Sequence, residues 1–231
     1  AGVTILVALA GVGIFLLVQG APALTAGKAD LKGHSNFLSY VAPLVFGTLL
    51  AAVLALLIAV PLALGVALSI SHYAPRRLAT VIGYLVDLLA AVPSVVYGLW
   101  GIGVLGPKLV PIYRWLDEHL GWLPFFAGPY SNTGRTILTA AIVLALMVLP
   151  IVTAITREIF RQTPRLNEEA ALALGATRWE MIRLAVLPYG RSGIVSAAML
   201  GLGRALGETM AVALVLSASG VVTWTRRRVR T

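Results

Sequence analysis

The sequence contains no cysteine, which excludes a disulfide framework, a thiolate metal site and a thiol nucleophile. Histidine is almost as scarce: His34, His72 and His119 are its only three, scattered through polar segments without metal-ligand spacing, so no metal site is expected. Charge is scarce as well. Asp, Glu, Lys and Arg make up 12% of the 231 residues, about half the share usual in a soluble domain. No Walker-type glycine loop is present, so the chain is not expected to bind nucleotide. Nor can a Ser/His, paired-Asp or multi-His constellation be assembled within the apolar runs, which argues against an intramembrane protease or lipid-modifying transferase.

What the chain has in quantity is apolar length: 59% of its residues are hydrophobic, gathered into runs that can cross a hydrocarbon core of roughly 30 Å. Residues 1–18 form one run, read as a first span whose natural beginning is missing. Residues 41–70 form a second, uncharged run interrupted by Pro43 and Pro61. A third extends over residues 78–105 and carries Asp87 and Pro93; Asp87 either lines a path or reaches headgroup water. Residues 106–134 read as an aromatic-rich interfacial connection with Trp115, Trp122, Phe125, Phe126 and Tyr130. A fourth span covers residues 136–155 around Pro150, and a fifth residues 193–222. The expected architecture is therefore an all-α, polytopic bundle with the membrane domain at 38–224 and a basic tail at 225–231. Prolines inside spans suggest helices shaped around a pathway.

Orientation follows from the basic residues. The connection at 71–80 holds Arg76 and Arg77, and the connection at 157–192 holds Arg157, Arg161, Arg165, Arg178, Arg183 and Arg191. The opposite side has Lys28, Lys32, Lys108, Arg114 and Arg135 over longer loops. The first set is expected to be cytoplasmic, so the net charge of +9 is an orientation signal and not a nucleic-acid surface. Five spans would leave the tail, with Arg226, Arg227, Arg228 and Arg230, on the wrong side. A sixth crossing is expected near residues 220–225, absent from this sequence.

The segment from Thr163 to Pro188 reads as two short helices around an elbow. Asn167 is expected to cap a helix that opens with Glu168 and Glu169, and Gly175 to end it. Thr177 and Glu180 have the spacing of a capping box, and Leu187-Pro188 is expected to stop the second helix. Small and apolar residues (Ala170, Ala171, Ala173, Leu174) beside charges suit a partner's groove; the alternative is an amphipathic helix lying on lipid headgroups. Glu169-Ala170-Ala171, three residues, Gly175 and then Leu187-Pro188 resemble the EAA signature of ABC importer permeases, with Ala185 standing where the pattern has isoleucine. That resemblance implies that Glu168, Glu169, Ala170, Ala171, Gly175, Leu187 and Pro188 form the coupling loop that docks on an ATP-hydrolysing subunit.

The fifth span carries Arg204 and Glu208 one turn apart, which on a continuous helix places them on one face. Charges at membrane depth face a bundle interior or a water-filled path. Either the pair locks helices together, or Arg204 meets an anion while Glu208 holds its side chain; guanidinium geometry suits phosphate-like oxyanions. Gly203 and Gly207 form a small-residue face suited to close helix packing. The string from Gly203 to Val212, with Val92-Pro93-Ser94-Val95-Val96-Tyr97-Gly98, is similar to the phosphate-specific ABC permeases of the PstC type, and the likeness covers residues 38–216. It implies a type I (MetI-like) importer bundle of six spans in the bacterial inner membrane, with Arg204 and Glu208 on the substrate path. Ser94 and Tyr97 are expected to offer hydroxyls to that path or to pack. Implied partners are a second, PstA-like permease or a homologous half, two copies of an ATPase that carries ATP-Mg, an extracytoplasmic phosphate-binding protein and lipid. This chain itself is expected to hold no cofactor and to be no enzyme. A sulfate or molybdate permease is the nearest alternative, and a non-transporting scaffold a more distant one.

Overall fold

All regular structure is helical in a computed structural model of the chain, which describes residues 2–22, 36–120 and 131–216. In chain order the helices are α1 (Gly2–Gly20), α2 (Phe37–Leu68), α3 (Arg76–Ala90), α4 (Ser94–Trp100), α5 (Gly106–Leu120), α6 (Ile137–Arg161), α7 (Arg165–Ala173), α8 (Arg178–Met181), α9 (Leu187–Gly207) and α10 (Met210–Val215). Contacts divide the chain into two compact units, which among the described residues meet between Gly47 and Thr48. The first holds α1, which buries none of its own residues, and the opening of α2. The packing and the site described below lie in the second.

At the centre of that unit stands α6, which buries residues along its whole length from Thr139 to Phe160. Against it α2 presents a stripe made of alanine alone: Ala51, Ala52, Ala55, Ala59, Ala63 and Ala67. Their spacing of three and four puts them on one face; Ala51 to Ala63 share a cluster with Leu144, Ala145, Val148 and Val152 of α6 and with Ala197 and Ala205 of α9, and Ala67 joins a second with Phe160. Small faces let backbones approach closely where lipid supplies no hydrophobic drive. On α9 glycines serve the same end. A Cβ at Gly201 would sit 2.7 Å from Val148 and 3.1 Å from Val152, and one at Gly190 would sit 3.1 Å from Phe160. Since Gly190 meets the end of α6 and Gly201 its middle, the two helices run antiparallel.

Among the described residues three π turns interrupt the helices: Ser69–Tyr73, Gly101–Leu105 and Ile182–Val186. Each closes with an amide bonded five residues back, Ala74 to Ser69, Gly106 to Gly101 and Leu187 to Ile182. Each is followed at once by a proline: Pro75, Pro107 and Pro188. A proline lacks the amide and its ring collides with the carbonyl four residues back; widening the preceding turn moves that carbonyl aside. Leu187-Pro188 therefore does not stop a helix, contrary to expectation: α8, the π turn and α9 follow one another without a break.

Among the described residues four stretches are long and apolar enough to cross a membrane: Gly2–Gly20, Phe37–Tyr73, Ser94–Leu120 and Ile137–Arg161. The third corrects the sequence reading, in which residues 78–105 crossed as one. Pro93 forces Val92 out of helical conformation, so α3 ends at Ala90 as a separate amphipathic helix burying Ala79, Gly83 and Val86. The Tyr97 hydroxyl donates to the Leu89 carbonyl at 2.9 Å, beside the Val92 amide on the same acceptor, and ties α4 back to the end of α3. Residues 106–120, read as connection, are helical, while Trp122, Phe125, Phe126 and Tyr130 lie outside the described residues. The fourth span also continues past residue 155, so Arg157 and Arg161 end a helix and do not begin a loop. Residues 217–231, with the expected sixth crossing and basic tail, are outside the described residues too.

Where the chain returns into α6, Thr136 caps it by accepting from the Thr139 amide. The buried Thr139 hydroxyl donates to the Gly134 carbonyl at 2.6 Å, which leaves its oxygen to accept from the Tyr113 hydroxyl, also at 2.6 Å. Tyr113→Phe removes that donor at a buried site. It is expected to cost about 1 kcal/mol, read as a fall in the thermal midpoint of the purified protein with the helical signal unchanged.

Candidate pathway residues and coupling loop

Arg204 lies in the last turn of α9 and is exposed, as are its neighbours Gly203 and Gly207. A Cβ at either glycine would meet nothing within 4 Å. The small-residue face expected to pack against another helix is therefore open within this chain, and Arg204 stands on its open side. At membrane depth an exposed guanidinium needs water or another subunit beside it.

Glu208 does not continue that helix. Its backbone is extended, with φ −79° and ψ 109°, and α10 begins two residues later. Its carboxylate accepts from the Ala211 amide at 3.1 Å, capping the new helix. The expectation that Arg204 and Glu208 share one helical face is corrected accordingly. Among the described residues the ion pairs are His72–Glu168 and Asp87–Arg157, and Arg204–Glu208 is not one of them. The helix ends at Gly207, and an amide in the first turn of α10 claims the carboxylate. Non-helical backbone at this depth persists only where protein or a water-filled cavity receives its polar groups.

α4 packs beside the break. A Cβ at Gly98 would lie 2.9 Å from the Ala211 backbone and from Leu214, so only glycine allows this approach. Tyr97 packs on the cluster of Ala140, Val143, Met147, Ala211 and Val215. Ser94 opens α4 one turn earlier. The structure thus brings Tyr97, Arg204 and Glu208 to the neighbourhood of one break. The proton of Tyr97 is committed to Leu89, so toward any ligand the hydroxyl can only accept.

Asp87 faces a helix. Its carboxylate lies 3.6 Å from the Arg157 guanidinium, and the side chains are 53% and 16% exposed respectively. One turn before Asp87 on α3, a Cβ at Gly83 would lie 2.5 Å from that guanidinium, so glycine clears its bed. The pair clamps α3 to α6, a role the sequence reading did not assign it.

The elbow is built largely as expected. α7 starts at Arg165 behind Pro164, so Asn167 lies within its first turn and is not the cap; proline at the boundary sets the start. Gly175 ends it at φ +85°, with the Ala176 amide bonded to the Ala171 carbonyl and the Gly175 amide to that of Leu172, a Schellman closure. Thr177 and Glu180 form the reciprocal box: the Glu180 carboxylate accepts from the Thr177 amide at 2.7 Å and from its hydroxyl at 2.8 Å. These bonds hold the Glu180 carboxyl below its usual pKa. Its contribution to the loop is therefore complete above the ordinary glutamate range and fades as pH falls through the lowered value.

Several apolar side chains of the elbow project into solvent, Leu174 at 90% exposure and Leu166 at 75%. Glu169 and Ala170 are exposed beside them, while Ala171 packs inward. Between α7 and the opening of α9 lies a groove of about 400 Å³ lined by Asn167, Ala170, Ala171, Leu184, Ala185, Pro188 and Tyr189. Ala185, the departure from the signature, widens this groove where isoleucine would fill it. Leu166 and Leu174 thus leave apolar surface of the elbow uncovered within this chain.

These are the parts of a multi-pass membrane permease. The chain belongs to the family described as binding-protein-dependent transport system inner membrane components, whose model matches residues 59–230. It is similar to the protein named phosphate transport system permease protein PstC 2 of Mycobacterium tuberculosis, 55% identical over 97% of this chain and 72% of that relative. The PstC of Mycobacterium leprae is 50% identical over 88% of this chain and 67% of its own length. That of Mesorhizobium japonicum is 41% identical over 94% and 68%. The chain is accordingly a permease subunit with the MetI-like fold, a multi-pass component of the bacterial inner membrane, and not an enzyme. Membership implies a transport system of several parts, with no cofactor on this subunit.

Proposed function

We propose that this chain forms one half of the translocation pathway of an ATP-driven importer of inorganic phosphate. The observation that carries the reading is 55% identity over 97% of the chain to a permease named for phosphate transport. The exposed Arg204 beside the helix break supports it, because a guanidinium fits a tetrahedral oxyanion. In this reading Arg204 receives phosphate, Glu208 shapes the break that presents it, and Tyr97 and Ser94 contribute hydroxyls to the lining. A second permease, PstA-like or a homologous half, closes the other side. Two copies of an ATPase, carrying ATP-Mg, dock on Glu168, Glu169, Ala170, Ala171, Gly175, Leu187 and Pro188. An extracytoplasmic phosphate-binding protein delivers the substrate. Because α8 runs through its π turn into α9, a push on the elbow reaches Arg204 along one helix.

The test is reconstitution of the co-purified transporter in lipid vesicles. Phosphate delivered by its binding protein is expected to stimulate ATP hydrolysis and to accumulate inside. Stimulation by sulfate or molybdate in place of phosphate, or stable purification with no ATPase and no second permease, would overturn the reading.

A further inference from the structure

The first coupling helix is lightly fastened to the membrane helices. α7 buries none of its residues. Ala171 rests on the cluster of Ala67, Phe160, Met181, Ile182 and Val186. The polar tie from α7 to a membrane helix, among the described residues, runs from Glu168 Oε1 to His72 Nε2 at 3.4 Å.

His72 lies 96 residues away in sequence, in the π turn that ends α2. Its ring is set from several sides. Ser71 Oγ stands 2.7 Å from the Ala67 carbonyl and 2.7 Å from His72 Nδ1; with the hydroxyl proton given to Nδ1, the ring carries its own proton on Nε2. The ring of Phe160 meets the imidazole edge-on, with centroids 6.4 Å apart. Nε2 is the ring nitrogen left to face Glu168. The contact is long for a hydrogen bond, but the side chains are only 10% and 24% exposed, so solvent and salt screen it less than an open surface pair. Glu168 also opens the first turn of α7, where a carboxylate complements the helix dipole.

We propose that His72 is a positioning residue of the coupling step, fastening the first turn of α7 to the cytoplasmic end of α2. Movement of the elbow then enters the membrane by two routes: along α8 into α9 and Arg204, and through Glu168 and His72 into α2. The inference rests on the proposed coupling to an ATPase and adds α2 to what that coupling moves.

The test uses the assembled transporter in vesicles and reads phosphate accumulated per ATP hydrolysed. If the unsubstituted complex shows no phosphate-stimulated hydrolysis, the proposed function fails before the clasp is at issue. Given coupling there, His72→Ala is expected to lower the ratio about tenfold, within the usual range for coupling between sites, while the subunits still co-purify. His72→Gln, whose amide nitrogen can stand where Nε2 does, is expected to stay near the unsubstituted ratio. Glu168→Ala is expected to match His72→Ala, and the double variant to be no worse than either. An unchanged ratio in His72→Ala, equal damage in His72→Gln, or losses that multiply in the double variant would overturn the clasp. Should His72→Ala fail to assemble, His72→Phe decides, since it keeps a ring against Phe160 and removes the nitrogen that faces Glu168, and an unchanged ratio there rejects the clasp.

Discussion

Replacing Arg204 with glutamine is expected to lower uptake of radiolabelled phosphate by about a hundredfold, the upper range for deleting a charge-assisted hydrogen bond. The subunits should still co-purify, because the guanidinium is exposed and Gly203 and Gly207 beside it touch nothing in this chain. Arg204→Lys keeps the charge and loses the planar fork, so its uptake should fall between the two. Glu208 is engaged by the Ala211 amide and does not pair with Arg204. A locking pair, once broken, would expose a carboxylate and disturb assembly; a free guanidinium at the end of α9 would not. Normal uptake by the glutamine variant would remove Arg204 from the path.

The second large effect is expected at Gly175. Nothing lies within 4 Å of a Cβ built there, so added volume alone is harmless. The backbone at φ +85° is the obstacle. A β-branched side chain in that region costs on the order of 1–3 kcal/mol, and the cheapest escape is to open the Schellman closure that orients α7 against α8. Gly175→Val should therefore lose retention of the ATPase subunit on co-purification and phosphate-stimulated hydrolysis together. Gly175→Asn, which tolerates left-handed backbone, should keep most of both. Equal behaviour of the two variants would show that the angle of the elbow does not matter to docking.

Local chemistry in the elbow was legible from sequence because each device is complete within a few residues. Thr177 with Glu180, and Gly175 after Leu174, need no distant partner to act. Readings that assumed an unbroken helix fared worse. Arg204 and Glu208 have the spacing of a pair, but the carboxylate answers an amide of α10 that becomes available only because the helix breaks after Gly207. The sequence places Pro93 inside a long apolar run and makes Pro188 a stop, and the structure reverses both. One ends α3; the other rides through, because the turn before it widens. That widening recurs before Pro75 and Pro107, so the signal is a proline just beyond a helical run. The clamp of Asp87 on Arg157 and the tie of Glu168 to His72 each join segments about 70 or more residues apart in number, and no local pattern announces them. The alanine stripe of α2 was readable in principle, since its spacing is helical and its residue type constant. In an apolar run, however, hydrophobicity is uniform and no longer tells inside from outside.

That stripe bears on how α2 can move. Large side chains interlock, so a helix seated on leucines must climb over ridges to change register. Alanines offer shallow relief and hold no rotamers to be rearranged. The alanine face of α2 therefore adds little relief of its own to the cluster it shares with α6 and α9, a packing compatible with the small sliding displacements of shear motion. A helix pulled at one end by a clasp can glide on such a face without unpacking the core it lies against.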